Sequence, residues 1–226
     1  LHDGLFADRI DAGRALGERM ARCQDLPDPV VVALPRGGVP VGAQVARRLG
    51  APLVAMPVGK VGAPGREELA VGAVASGGVT VLNWDVIAAL HLGPDEVERL
   101  VSKAAAKVAH QVELYSREGQ GVPLSGRSVV VVDDGLATGA SMRAALIAVR
   151  ELHPHRLVLA VPVAAPEALE SLASLVDEQV CVVRPERMEA VGAWYKDFSQ
   201  TTDAEVARFL GELGAQAAAP GRLSPP

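Results

Sequence analysis

Aromatic residues are scarce, seven among 226, or 3%. A core must therefore be built from valine, alanine and leucine, and at 49% apolar residues the chain has enough of them for one domain. Valine-rich strands with alanine-rich helices suit an α/β architecture better than an all-β one. Cysteine is nearly absent. Cys23 and Cys181 stand far apart without metal-ligand spacing, which excludes a disulfide framework and points to a reducing compartment, the cytoplasm being the expectation. Lysine is rare as well, 4 against 18 arginines, and the net charge is −5. A broad basic surface is thus missing, and no nucleic-acid partner is expected. No apolar run approaches the length of a membrane span and no secretion signal opens the chain, so no membrane association is expected. There is no internal repeat of fixed period.

What the chain does have is one concentrated stretch, Val129 to Ser141, reading VVVVDDGLATGAS. Four consecutive β-branched residues without alternation fit a strand buried on both faces. Asp133 and Asp134 follow where that strand leaves the sheet, and Gly135 to Gly139 turn the chain. Ser141 to Glu151 has helical spacing of Met142, Ala145, Leu146 and Val149. Ligands of parallel α/β sheets bind at the carboxyl ends of strands. A helix N-terminus reached through glycines offers free N–H groups to an anion. Two carboxylates beside it would repel that anion unless they serve another part of the ligand, and sugar hydroxyls are the obvious candidate. The pattern describes a sugar-phosphate site.

A similar unit lies upstream. Val30 to Leu34 predicts a buried strand, Pro35-Arg36-Gly37-Gly38-Val39-Pro40 a junction, and Val41 to Leu49 a helix closed by Gly50. Paired glycines allow positive φ and close approach of backbone to ligand. Arg36 adds a fixed charge suited to phosphate. A helix over Phe6 to Cys23 precedes this unit, with Arg9, Arg14, Arg19 and Arg22 on its polar side. Leu53 to Val58 predicts the next strand. Gly59 to Arg66, glycine-rich and basic at both ends, predicts a mobile loop. Leu69 to Ala75 and Val79 to Asn83 predict an antiparallel pair inserted into the mainly parallel sheet.

A short helix from Trp84 to Leu90 and a long one from Gly93 to about Arg117 come next. The apolar stripe of the long helix suits its own core or a second subunit, which leaves a homodimer open. His91 and His110 have no companion ligands at metal spacing. Strands at Arg156 to Val163 and Gln179 to Val183 flank a helix at Pro166 to Leu175. The rhythm then breaks. Met188 to Gln200 carries Trp194, Tyr195 and Phe198, a cluster that closes the core edge or offers a flat surface to a planar ring. Thr202 to Glu205 is a capping-box pattern opening a last helix to about Leu213. Residues 214–226 have the composition of a disordered tail, which leaves 1–213 as a single domain.

The stretch VVVVDDGLATGAS resembles the 5-phosphoribosyl 1-diphosphate (PRPP) binding motif of type I phosphoribosyltransferases. ALPRGGVPVG looks like the pyrophosphate loop of that family, and KVGAPGREELAVGAV sits where its members carry a flexible loop. VGAWYKDFSQTTDAEV and FADRIDAGRALGERM resemble a bacterial, functionally unassigned subgroup. The resemblance implies the type I phosphoribosyltransferase-like fold: a mainly parallel central sheet flanked by helices, an inserted hairpin and long helix, and a small C-terminal hood at about 185–213. It implies that Asp133 and Asp134 hold the ribose hydroxyls and that Ala137, Thr138, Gly139, Ala140 and Ser141 wrap the 5-phosphate. Arg36, Gly37 and Gly38 would bind pyrophosphate, and Lys60 or Arg66 would cap it. Mg²⁺ would lie near Asp133 and Asp134, held largely through ligand and water rather than by protein alone. Trp194, Tyr195 and Phe198 are the candidates for the base side.

Transfer of the phosphoribosyl group from PRPP to a nitrogenous base, releasing pyrophosphate, is the function implied. The alternative is a non-catalytic PRPP or nucleotide sensor on the same fold. Two departures stand out. Gly135 occupies a place more often held by an aliphatic residue, and the hood matches no purine, pyrimidine or orotate enzyme. Other phosphate motifs fail: the P-loop for lack of its Lys-Ser/Thr ending, the dinucleotide fingerprint for lack of G-x-G-x-x-G. A receiver domain fails because its acid pair lies near the N-terminus and its phospho-acceptor Asp and Lys follow at later strands.

Overall fold

The computed structural model describes residues 5–22, 26–119 and 122–214. Cys23 and the tail beyond 214 lie outside the described residues. In chain order the elements are α1 (Arg9–Met20), β1 (Pro29–Ala33), α2 (Gly38–Leu49), β2 (Leu53–Ala55), β3 (Val58–Ala63), β4 (Arg66–Ala75), β5 (Thr80–Leu82), α3 (Trp84–Ala89), α4 (Pro94–Gly119), β6 (Ser128–Val132), α5 (Ala140–Arg150), β7 (Arg156–Val163), α6 (Pro166–Leu172), β8 (Glu178–Val183) and α7 (Asp203–Gly214).

Five strands form a wholly parallel sheet in the order β2-β1-β6-β7-β8. The absence of alternation in the valine runs has a direct cause: the sheet is covered on both sides. Val30, Val32, Val129, Val131, Leu157 and Leu159 face one core with α5 and α6. Val31, Ala33, Val130, Val132, Val158 and Ala160 face the other, with α1, α2 and α7. All twelve are fully buried. Each such side chain contributes roughly 1.5–3 kcal/mol by leaving water, so these valines supply much of the driving force for a core almost without aromatics.

The chain leaves β1 toward β2 on one side and later returns to place β6 on the other. That reversal makes the C-terminal ends of β1 and β6 a topological switch point, where doubly wound sheets open a crevice. The two glycine-containing junctions leave from these two ends.

The expected antiparallel pair exists but is not part of the central sheet. It belongs to a separate three-stranded sheet, β3-β4-β5. The expected mobile loop is mostly strand β3, paired with β4 from Val58↔Ala75 to Ala63↔Arg66. Gly59 serves packing: a side chain there would meet Val108 of α4 at 2.9 Å. Only the tip, Pro64 and Gly65, remains a turn. The long helix α4 lies along β3, β4 and α7. Its Val97, Ala104, Val108 and Tyr115 are buried, so the apolar stripe serves this chain's own core. Among the described residues no helix is long and apolar enough to cross a membrane.

The segment after β8 returns to the start of the chain. Phe6 bridges Tyr195, its N–H donates to Trp194 O at 2.9 Å, and Lys196 N–H donates to Phe6 O at 2.8 Å. Helix α7 opens with the expected capping box. Thr202 Oγ1 accepts from Glu205 N–H at 3.2 Å while the Glu205 carboxylate accepts from Thr202 N–H at 2.8 Å.

Candidate functional site

Asp133 and Asp134 emerge from β6, and Arg36 to Gly38 emerge from β1. Because β1 and β6 are hydrogen-bonded neighbours, their loops lie back to back. A side chain at Gly37 would sit 2.1 Å from Asp134 Oδ2, and one at Gly38 would sit 2.9 Å from Val132 O and Asp133 Cα. Sequence reasoning anticipated positive φ at these glycines, with close approach of backbone to a ligand. Gly37 instead has φ −61°, ψ −35°, a conformation open to any residue. What these glycines provide is room for the acids. The Pro35–Arg36 peptide bond is cis.

Helices α2 and α5 both begin at this point, with Gly37 and Gly139 as N-caps, and neither has a side-chain cap. Helices α1, α3 and α7 are capped by Asp8, Asn83 and Thr202. The uncapped first turn of α5 leaves N–H donors for an anion, whereas in α2 Gly38 N–H donates to Leu34 O, Val39 N–H donates to Arg36 O, and Pro40 has no N–H. Gly139 enters α5 through φ 75°, which favours glycine. Ala137 and Thr138 are exposed in the loop, and Ala140 and Ser141 are half-buried. Thr138 and Ala140 also border a cavity of about 890 Å³. Its other walls include Leu82, Trp84 and Arg143.

The acids are mostly enclosed. Burial raises the Asp133 carboxyl well above the usual range, and the charge of Asp134 pushes it the same way. Asp134 is raised too, again by burial, against the pull of Arg9. Asp133 Oδ1 accepts from Asp134 N–H at 2.9 Å. Asp134 Oδ2 accepts from Arg9 Nε at 2.8 Å. Asp133 Oδ2 and Asp134 Oδ1 take no hydrogen bond from any other described residue, which leaves each acid an acceptor for a ligand.

Arg36 is held at the cleft edge by Gln200 Oε1 at 3.3 Å and Asp203 Oδ2 at 3.8 Å. Tyr115 donates its hydroxyl to Asp203 Oδ1 at 2.5 Å. Lys60 and Arg66 are exposed on the β3–β4 hairpin, in the small sheet.

The aromatic hood is only partly open. Tyr195 is 6% exposed and donates its hydroxyl to Asp134 O at 2.5 Å. Its ring faces Phe6 and Phe198, and burial pushes its phenol above the ordinary range. Tyr195 therefore braces the acid loop from behind and presents no free face, which corrects its expected place on the base side. Phe198 is 37% exposed, with the Arg9 guanidinium 3.9 Å from its ring centre. Trp194 is half-buried.

The unusual glycine at 135 has a structural counterpart. A side chain there would meet Val191 at 2.6 Å and Val163 at 3.1 Å. The hood residue Val191 thus fills the space that an aliphatic residue at 135 would take. Gly135→Ala is expected to destabilise the fold by about 1–3 kcal/mol through overpacking. Adding Val191→Ala should restore much of that loss in urea unfolding. Simple additivity of the two substitutions would show that they do not share the space.

Sequence reasoning missed Arg9, Gln200, Asp203 and Val191. Arg9 had the helical spacing of a polar face, and nothing in its periodicity reports a partner 125 residues away.

The sequence model of a family described as the phosphoribosyl transferase domain matches residues 10–183. A Mycobacterium tuberculosis protein, Rv0571c of strain H37Rv, provisionally named a phosphoribosyl transferase, is 42% identical over 206 residues. That match covers 91% of this chain and 46% of the relative, so the chain spans about half the length of the curated relatives it matches. The crystal structure of TT1426 from Thermus thermophilus superposes with a TM-score of 0.79 at 44% identity, covering 92% of this chain and 99% of that one. The AQ2163 protein of Aquifex aeolicus shares the fold at 15% identity, with a TM-score of 0.50 over 81% of this chain and 78% of that one.

Proposed function

The chain belongs to the phosphoribosyl transferase family, and from that premise we propose that it binds PRPP with Mg²⁺ and transfers the phosphoribosyl group to a nitrogenous acceptor, releasing pyrophosphate. One observation carries the reading. The uncapped N-terminus of α5 and the Arg36–Gly37 loop converge on a mostly enclosed acid pair at the switch point of the sheet, which suits a ligand with phosphate groups at two ends and a hydroxylated sugar between them.

In this reading residues 137–141 and the first turn of α5 take the 5-phosphate. Arg36, Gly37 and Gly38 take the pyrophosphate, with Arg36 exchanging Gln200 and Asp203 for phosphate oxygens. Lys60 or Arg66 on the hairpin closes over the pyrophosphate and limits access of water. Asp133 and Asp134 accept from the ribose hydroxyls through the oxygens that no other described residue engages. As the bond from ribose C1 to pyrophosphate breaks, positive charge grows on the ring, and the adjacent carboxylates favour it. Phe198 and Trp194 are the hood residues placed to meet the acceptor.

Two adjacent carboxylates fit a hard cation but do not surround one, and among the described residues no group of three or more His, Cys, Asp or Glu gathers to hold a metal. Magnesium near Asp133 and Asp134 would be held mainly by ligand oxygens and water, where it supplies charge neutralisation to the leaving pyrophosphate.

Titration with PRPP and Mg²⁺, with pyrophosphate release followed across a panel of bases, tests the proposal. Binding with turnover on one base is the expected result. Tight binding without turnover on any base would favour the sensor, and no binding would exclude both readings.

A further inference from the structure

We propose that Arg9 is the positioning residue of the acid pair, fixing the Asp134 carboxylate for the ribose; this rests on the phosphoribosyl reading above. Arg9 opens α1, far from both glycine loops in sequence. Its side chain is nonetheless only 12% exposed, and that of Asp134 15%. The guanidinium makes three contacts at once. Nε donates to Asp134 Oδ2 at 2.8 Å, Nη1 donates to Ser199 O at 2.7 Å, and the Phe198 ring lies 3.9 Å away. A planar fork held this way is locked in orientation, which a flexible ammonium is not.

The carboxylate it holds lies in a crowded place. Gly37 lies beside the pair, where even a methyl group would sit 2.1 Å from Asp134 Oδ2 and 3.1 Å from Arg9 Nε. The Tyr195 hydroxyl fixes the carbonyl of the same residue. Arg9 and Tyr195 therefore connect the hood to Asp134 through its side chain and its backbone. Asp133 lies alongside, so two like charges share a confined space. Removing Arg9 takes away the only cation that an ion pair joins to Asp134 among the described residues, and the carboxylate can then turn away from its neighbour. A displacement of that kind beside the reacting sugar weakens ribose binding without touching the pyrophosphate loop.

The test compares Arg9→Met and Arg9→Lys with the unaltered chain by calorimetric titration. The probes are PRPP with Mg²⁺, ribose 5-phosphate alone, and inorganic pyrophosphate with Mg²⁺. Arg9→Met should lose about tenfold or more in affinity for the two ribose ligands and keep its affinity for pyrophosphate. Arg9→Lys should fall between, since it retains a charge near Asp134 but cannot also reach Ser199 O in the same fork. Unchanged affinity for the ribose ligands would overturn the proposal. So would an equal loss for all three probes, which marks a merely structural role. Should Arg9→Met not fold, the same ratio is read from Arg9→Lys: selective loss supports the proposal, and uniform or absent loss overturns it. If the unaltered chain binds neither PRPP nor ribose 5-phosphate, the phosphoribosyl reading falls and the role of Arg9 falls with it. Normal binding by the unaltered chain and both variants removes Arg9 alone.

Discussion

Replacing Asp133 and Asp134 together by asparagine is expected to weaken binding of PRPP with Mg²⁺ by roughly a hundredfold or more while the fold persists. Each acid has one oxygen engaged within the protein and one that no other described residue engages. Asparagine keeps the acceptor toward the Asp134 N–H but removes the charge that strengthens a hydrogen bond from a hydroxyl and favours a positive ring. Calorimetric titration measures the loss, and circular dichroism reports the fold. Unchanged affinity would remove the acid pair from the site.

The single substitution Asp133→Asn carries a second, opposite expectation. Burial, reinforced by Asp134, raises the Asp133 carboxyl in the folded state. Below the unfolded pKa both states hold the proton, and the group has no effect on stability. As pH rises through the folded value the native state must take up a buried charge, so stability is lost. Asp133→Asn removes that loss. Its melting temperature should match the unaltered chain near about pH 3 and exceed it near about pH 7. A variant less stable at neutral pH would show that Asp133 is better satisfied in the ligand-free protein than its surroundings indicate. Function and stability are thus expected to move in opposite directions at this residue, as at many sites built to receive a ligand.

Gly37→Ala is the second large effect. The backbone there has αR dihedral angles, so alanine meets no conformational penalty. The added methyl instead falls 2.1 Å from Asp134 Oδ2 and 3.1 Å from Arg9 Nε. The Arg9 guanidinium holds that oxygen in place, so the carboxylate can make room only by giving up the ion pair. PRPP affinity should drop by about a hundredfold, with a stability loss of about 1–3 kcal/mol. Titration and urea unfolding read the two effects separately. Retained affinity would mean that the two loops can separate without consequence, and the back-to-back geometry would lose its functional meaning.

Much of the site was legible because it is local. An apolar strand, two acids and a small-residue turn into a helix follow one another at Val129 to Ser141, and the same order of strand, junction and helix recurs around Arg36. Local order cannot say which two strands lie side by side, yet that adjacency brings Gly37 against Asp134. The stretch around Lys60 misled for a related reason. Glycines beside basic residues have the composition of a mobile loop, but here most of the stretch is strand β3, and Gly59 makes room for α4 to pack on it. Tyr195 and Phe198 formed a plausible ring-binding cluster in sequence. Burial and a hydrogen bond to Asp134 O turned Tyr195 into a brace.

By itself the sequence determined the α/β class, the parallel core of valines, the acid pair and the two glycine junctions, since hydrophobic period and turn chemistry act over a few residues. Only the tertiary structure decided that the small strands form their own sheet, that Val191 occupies the space above Gly135, and that Arg9 from α1 and Tyr195 from the hood hold Asp134. The contacts at Gly135 and Asp134 join residues far apart in sequence, and their energy exists only once the packed core has brought those segments together.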